Sequence, residues 1–64
     1  MKPFPAHTQA LLPKIPLVEQ ETSNFSSNGM SFITKMIFED PYWRITFWFD
    51  EYGEIIKENK RTLD

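Results

Sequence analysis

The stretch MIFEDPYWRITFWFDEYGEII, residues 36–56, decides the fold of this chain, because its apolar residues recur at every second position between two turn signatures. A spacing of two is that of a β-strand, in which successive side chains point to opposite sides of a sheet. We call face A the side that carries Trp43, Ile45, Phe47 and Phe49, and face B the side that carries Arg44, Thr46 and Trp48.

Three turn signatures separate four strand-like runs. Residues 50–53, Asp-Glu-Tyr-Gly, match a type I turn followed by a bulge, in which Asp accepts local backbone hydrogen bonds and Gly53 supplies a positive φ. Asp40-Pro41 places proline where a type I turn requires its fixed φ, and Asn28-Gly29 suits a primed hairpin turn. The signatures predict tight hairpins rather than long crossovers.

The chain is therefore predicted to be mainly β, a small antiparallel meander of three to four strands in a domain over residues 17–64. The predicted strands cover approximately residues 17–25, 30–39, 43–50 and 54–60. An N-terminal arm, residues 1–16, carries four of the five prolines and is expected to be extended or irregular, apart from a short helical turn at AHTQALL.

Turn geometry and parity together predict a register for the strands. The predicted pairs are Glu39 with Arg44, Phe38 with Ile45, Met36 with Phe47, Phe49 with Ile55 and Trp48 with Ile56. Face A would then also carry Met30, Phe32, Met36, Phe38 and Ile55. Face B would also carry Ile33, Lys35, Ile37, Glu39, Ile56, Glu58 and Lys60, which makes it the more mixed of the two surfaces.

The apolar residues of the arm and the first strand can cover one face but not both. They are Phe4, Leu11, Leu12, Ile15, Leu17 and Val18. If they cover face A, face B keeps exposed apolar surface, and such patches usually mark interaction sites. The sequence predicts a non-catalytic protein-binding module, acting as a regulator, an inhibitor or a minor subunit of a larger complex. The expected partner-binding residues are Ile33, Ile37, Tyr42, Arg44, Trp48 and Ile56.

Two other functions remain open at this level. Single-stranded nucleic acid could stack on Trp48 and Tyr42 beside Arg44 and Lys35. The net charge of −2 and the acids predicted on face B argue against it. Structural homo-oligomerisation is the third possibility, because a chain of 64 residues without cysteine has no disulfide to support its small core.

Catalytic and metal-binding patterns are weak in this sequence. His7 is the one histidine, there is no cysteine, and two glycines do not form a phosphate-binding loop. We therefore expect no enzymatic activity, no cofactor and no metal site. Prolines interrupt the apolar run of the N-terminus, so we expect a cytoplasmic chain that does not enter a membrane.

Overall fold

The chain folds into one four-stranded antiparallel sheet with a short helix before it. The computed structural model describes residues 4–24 and 31–63. Its elements are α1 (Ala6–Leu11), β1 (Leu17–Asn24), β2 (Ser31–Glu39), β3 (Trp43–Phe49) and β4 (Ile55–Thr62), with the strands in the order β1-β2-β3-β4. The predicted meander is confirmed, with strand bounds shifted by at most two residues. The predicted Asn28-Gly29 turn and Met30 lie outside the described residues.

Two aspartates close the hairpins that the sequence predicted. Asp40 Oδ1 accepts hydrogen bonds from the backbone N–H groups of Tyr42 and Trp43 at 2.8 and 2.7 Å. Asp50 Oδ1 accepts those of Tyr52 and Glu54, both at 2.9 Å. These carboxylates accept hydrogen bonds from backbone N–H groups that have no partner in the pairing of the strands. Short polar side chains are favoured in turns for this reason.

The core lies on face A. Met36, Phe38, Phe47 and Phe49 are buried there, and the ring of Phe47 meets that of Phe38 edge to face at 6.0 Å. Such geometry places the positive edge of one ring against the negative face of the other. Phe4, Leu12 and Ile15 pack against this cluster from the arm, so the arm covers face A as the sequence analysis supposed.

Specific contacts fix the start of the arm on the turn between β3 and β4. The ring of Phe4 stacks on Phe49 at 4.7 Å, and the Thr8 hydroxyl donates to the carbonyl oxygen of Gly53 at 2.8 Å. Gly53 has φ +82°, and a Cβ there would lie 2.8 Å from Pro5 Cδ. Glycine is thus required twice at this position, for its backbone conformation and for the close approach of the arm.

The register of β2 with β3 is the one predicted, including Glu39 with Arg44 and Met36 with Phe47. Phe49 also faces Ile55 as predicted, but Trp48 faces Lys57 rather than Ile56. An irregularity at this point leaves Ile56 without a partner residue on β3. The prediction for the rest of β4 was therefore wrong by one residue, and Glu58 and Lys60 lie on face A, across from Phe47 and Ile45.

One of the two irregularities between β1 and β2 corrects the placement of Ile33. Glu21 pairs with Lys35, and the next residue, Thr22, pairs with Ile33, so Thr34 is the extra residue of a bulge. A bulge reverses the alternation of side chains on the strand beyond it. Ile33 consequently packs against the core cluster on face A instead of lying on face B.

Candidate functional site

Face B is built from three rows of side chains that run across the strands. The first row is Glu21, Lys35, Trp48 and Lys57; the second is Glu19, Ile37, Thr46 and Asn59; the third is Glu39, Arg44 and Arg61. Ile37 and Thr46 are buried, with 4% and 7% of their surface exposed, so the second row is the floor between the other two.

A shallow groove of about 280 Å³ follows this floor over β2, β3 and β4. Lys35 and Trp48 form one wall, Arg44 and Arg61 form the other, and Asn59 lies at the end next to the free edge of β4. Alternate residues of a strand are about 6.6 Å apart, so the two walls are separated by about 13 Å. That width admits an extended chain but does not enclose a small molecule.

Trp48 stands between two ammonium groups. The Nζ atom of Lys57 lies 4.9 Å from the ring centroid and that of Lys35 lies 5.7 Å from it. Both distances are within the range of cation–π attraction. The contacts hold the half-buried indole in place and surround it with positive charge.

The charges on face B are divided between its two edges. Glu21 pairs with Lys35 at 3.7 Å and Glu39 pairs with Arg44 at 3.5 Å, so the cations of the central strands are neutralised in part. Lys57 and Arg61, on β4, have no ion pair with a carboxylate among the described residues. Face B is consequently basic along β4, and along β1 it carries the carboxylate of Glu19, which has no ion pair among the described residues.

The six predicted partner-binding residues do not form one surface. Trp48 and Arg44 line the groove, and Ile37 belongs to its buried floor, so it offers little surface of its own. Tyr42 is 71% exposed on the turn between β2 and β3. Ile33 packs on the core of the opposite face, and Ile56, although 65% exposed, does not occupy the expected position beside Trp48.

Three residues of the site were missed by the sequence analysis: Lys57, Asn59 and Arg61. They alternate along β4 with Glu58 and Lys60, and both sets are polar, so no hydrophobic pattern assigns either one to a face. The one signal in the sequence for the shift of β4 was the pair Ile55-Ile56. Two adjacent apolar residues break the alternation of a strand, as a bulge does. Only the strand pairing shows which set accompanies Trp48.

Other kinds of site are not evident in residues 4–24 and 31–63. This part of the chain contains no cluster of three metal-ligating side chains. None of its helices has the length and apolar character that a membrane span requires. His7, in the arm, contacts Glu54 on the exposed side of the turn, with 2.6 Å between its Nε2 atom and Oε2 of the carboxylate.

No protein-family model, curated protein or solved structure matches this chain. A functional conclusion therefore has to rest on the geometry and charge of face B.

Proposed function

We propose that this protein is a non-catalytic module that binds another protein through the groove of face B. The observation that carries the proposal is the position of Trp48, an indole held between two lysines on the face of the sheet that the arm leaves open. Tryptophan and arginine dominate the binding energy of many interfaces because they combine large contact area with directed polar groups. A regulator, an inhibitor or a minor subunit would use such a surface.

The arrangement favours binding over chemistry. The floor of the groove, Ile37 and Thr46, carries no group that acts as an acid, a base or a nucleophile at neutral pH in this setting. The surrounding side chains supply attraction to carboxylates, hydrogen bonds and an aromatic contact. These are the elements of a recognition surface with a desolvated centre and a polar rim.

The test is affinity purification of the tagged protein from its native host, comparing wild type with Trp48→Ala and with Tyr52→Ala. Tyr52 is 67% exposed on the turn between β3 and β4, so it is a matched aromatic control outside the groove. Loss of Trp48 should weaken the complex about 30-fold, since a central anchor contributes about 2 kcal/mol. Circular dichroism should show both variants folded.

Recovery of the same partner with Trp48→Ala as with wild type would remove the groove from the interface. Unfolding of Trp48→Ala would assign the indole to the stability of the sheet. In that case Trp48→Phe, which keeps an aromatic ring, decides between the two roles by binding measured with the purified partner.

Single-stranded nucleic acid is the second candidate, and one observation favours it. The irregularity at Ile56 moves Glu58 and Lys60 from face B to face A, and it brings Lys57 beside Trp48 and Arg61 opposite Arg44. Basic residues next to an aromatic ring are typical of single-strand binding surfaces. Titration with labelled oligothymidylate, at low salt and again at higher salt, tests this function directly. The function is rejected if no binding is seen at low salt or if the affinity does not depend on salt.

A further inference from the structure

We infer that the groove recognises an extended peptide segment of a partner protein with acidic residues at one end and a basic residue at the other, lying across the strands. This inference rests on the proposed function and specifies the chemistry of the partner. The occupant is identified by the charge gradient of face B, basic at the β4 edge and acidic at the β1 edge.

The basic end of the groove is available to a ligand. Lys57 and Arg61 flank Asn59 on the edge strand β4, and neither forms an ion pair with a carboxylate in the described part of the chain. Arg61 lines the groove and Lys57 lies over Trp48 beside it, so two carboxylates of a partner can meet these cations along β4. Asn59, between them, supplies an amide that can hydrogen-bond the backbone of the same segment.

The acidic end requires the opposite charge. Glu19 and Glu21 are exposed residues of β1, in the same rows as Ile37 and Lys35. Glu21 pairs with Lys35, so Glu19 is the carboxylate of this edge that has no ion pair in the described part of the chain. From β4 to β1, face B spans three spacings between strands, a distance of about 14 Å, and the groove occupies the part of it over β2, β3 and β4. An extended peptide covers this distance in about four residues, so its acidic and basic residues should be about four positions apart.

The same gradient disfavours nucleic acid as the occupant. A single strand carries a negative charge at every nucleotide, and a strand lying in the groove would bring phosphates next to Glu19 and Glu21. Like charges in close contact reduce affinity and act as a barrier to the wrong partner. Lys35 and Arg44 are paired with Glu21 and Glu39, so these two pairs add little net charge, and Glu19, unpaired among the described residues, is the group that repels a phosphate.

The test uses the full chain and a labelled peptide that consists of two glutamates, a central Thr-Val-Thr and two lysines. Its length of about seven residues is set by the distance from β4 to β1 on face B. A second peptide has glutamates in place of the lysines, and oligothymidylate is the third probe. Fluorescence anisotropy should show the bipolar peptide binding about tenfold more tightly than either polyanion.

Charge reversals in the protein then locate the peptide. The double variant K57E/R61E should lower the affinity for the bipolar peptide about tenfold, whereas K60E, on the same strand but on face A, should leave it unchanged. The variant E19K/E21K should reverse the order of preference and favour the all-acidic peptide. Thermal unfolding of each variant serves as the control for folding, and K57Q/R61Q replaces the charge reversal if K57E/R61E does not fold.

The inference is overturned if the bipolar peptide does not bind at about millimolar concentration, far above the range of specific complexes. It is equally overturned if oligothymidylate or the all-acidic peptide binds as tightly. Either result leaves the proposed function standing as long as the purified complex still depends on Trp48. A complex that is insensitive to Trp48→Ala rejects the proposed function itself.

Discussion

At the scale of single residues, the most constrained side chain is a threonine of the arm. Thr8 is 1% exposed, and its hydroxyl donates to the carbonyl oxygen of Gly53 at 2.8 Å. A partly buried carbonyl that loses its donor costs free energy, because the group has already been removed in part from water. Thr8 therefore joins the arm to the β3–β4 turn by a contact that the sequence alone does not suggest.

Replacing Thr8 with valine should lower the free energy of unfolding by about 2 kcal/mol, because valine keeps the shape of threonine but cannot donate to Gly53. Thr8→Ser keeps the donor and loses one methyl group, so it should cost only about 1 kcal/mol. Urea unfolding of the two variants compares the contribution of the hydrogen bond with that of the methyl group. A Thr8→Val protein as stable as wild type would show that the hydrogen bond contributes nothing.

At the scale of elements, the helix and the strands depend on each other. Helix α1 has six residues and no side-chain cap, so it is too short to be stable by itself in water. Its position is fixed by the contacts around it, since Phe4 before it and Leu12 and Ile15 after it pack on the core of face A. The helix is thus a consequence of the docking of the arm.

Phe4→Ala should destabilise the protein by about 2 kcal/mol, less than for a fully buried phenylalanine, because Phe4 is half-buried and stacks on Phe49. Leu11→Ala is the matched control from the same arm, since Leu11 is 64% exposed and should change stability by less than about 0.5 kcal/mol. Thermal unfolding measures the stability of the two variants. If both lose the same amount of stability, the assigned docking of the arm is contradicted.

At the scale of the whole molecule, the arm takes the place of a second layer. A single antiparallel sheet needs a covering for its apolar face, and a chain of 64 residues has little material to provide one. The arm provides it for face A, which contains Met36, Phe38, Phe47 and Phe49. Self-association through face A is then unnecessary for the intact chain.

Deletion of residues 1–16 should therefore change the behaviour of the whole protein. The intact chain is expected to sediment as a monomer at about 100 μM. The shortened chain, with face A uncovered, should bind a dye for hydrophobic surface and sediment as larger species. A dimer of the intact chain would favour the homo-oligomer, and a monomeric shortened chain that binds no dye would contradict the role of the arm.

The sequence alone determined the antiparallel meander of three to four strands, the hairpins at Asp40 and Asp50 and the register of β2 with β3. These features depend on local signals: apolar residues at every second position, and turns that tolerate few residue types. Trp48 and Arg44 could be placed on face B for the same reason, because they lie on the most regular strand.

Only the tertiary structure decided which residues of β1, β2 and β4 share a face with Trp48. One extra residue reverses the parity of a strand, and the bulges at Thr34 and Ile56 have no glycine to mark them. Thr34 lies on the internal strand β2 and Ile56 on the edge strand β4, and the polar residues around them carry no hydrophobic pattern that would show the change of parity. Ile33 is thereby packed against the core, and Lys57 and Arg61 are brought to face B, which gives this face the charge gradient from which the bipolar peptide is inferred.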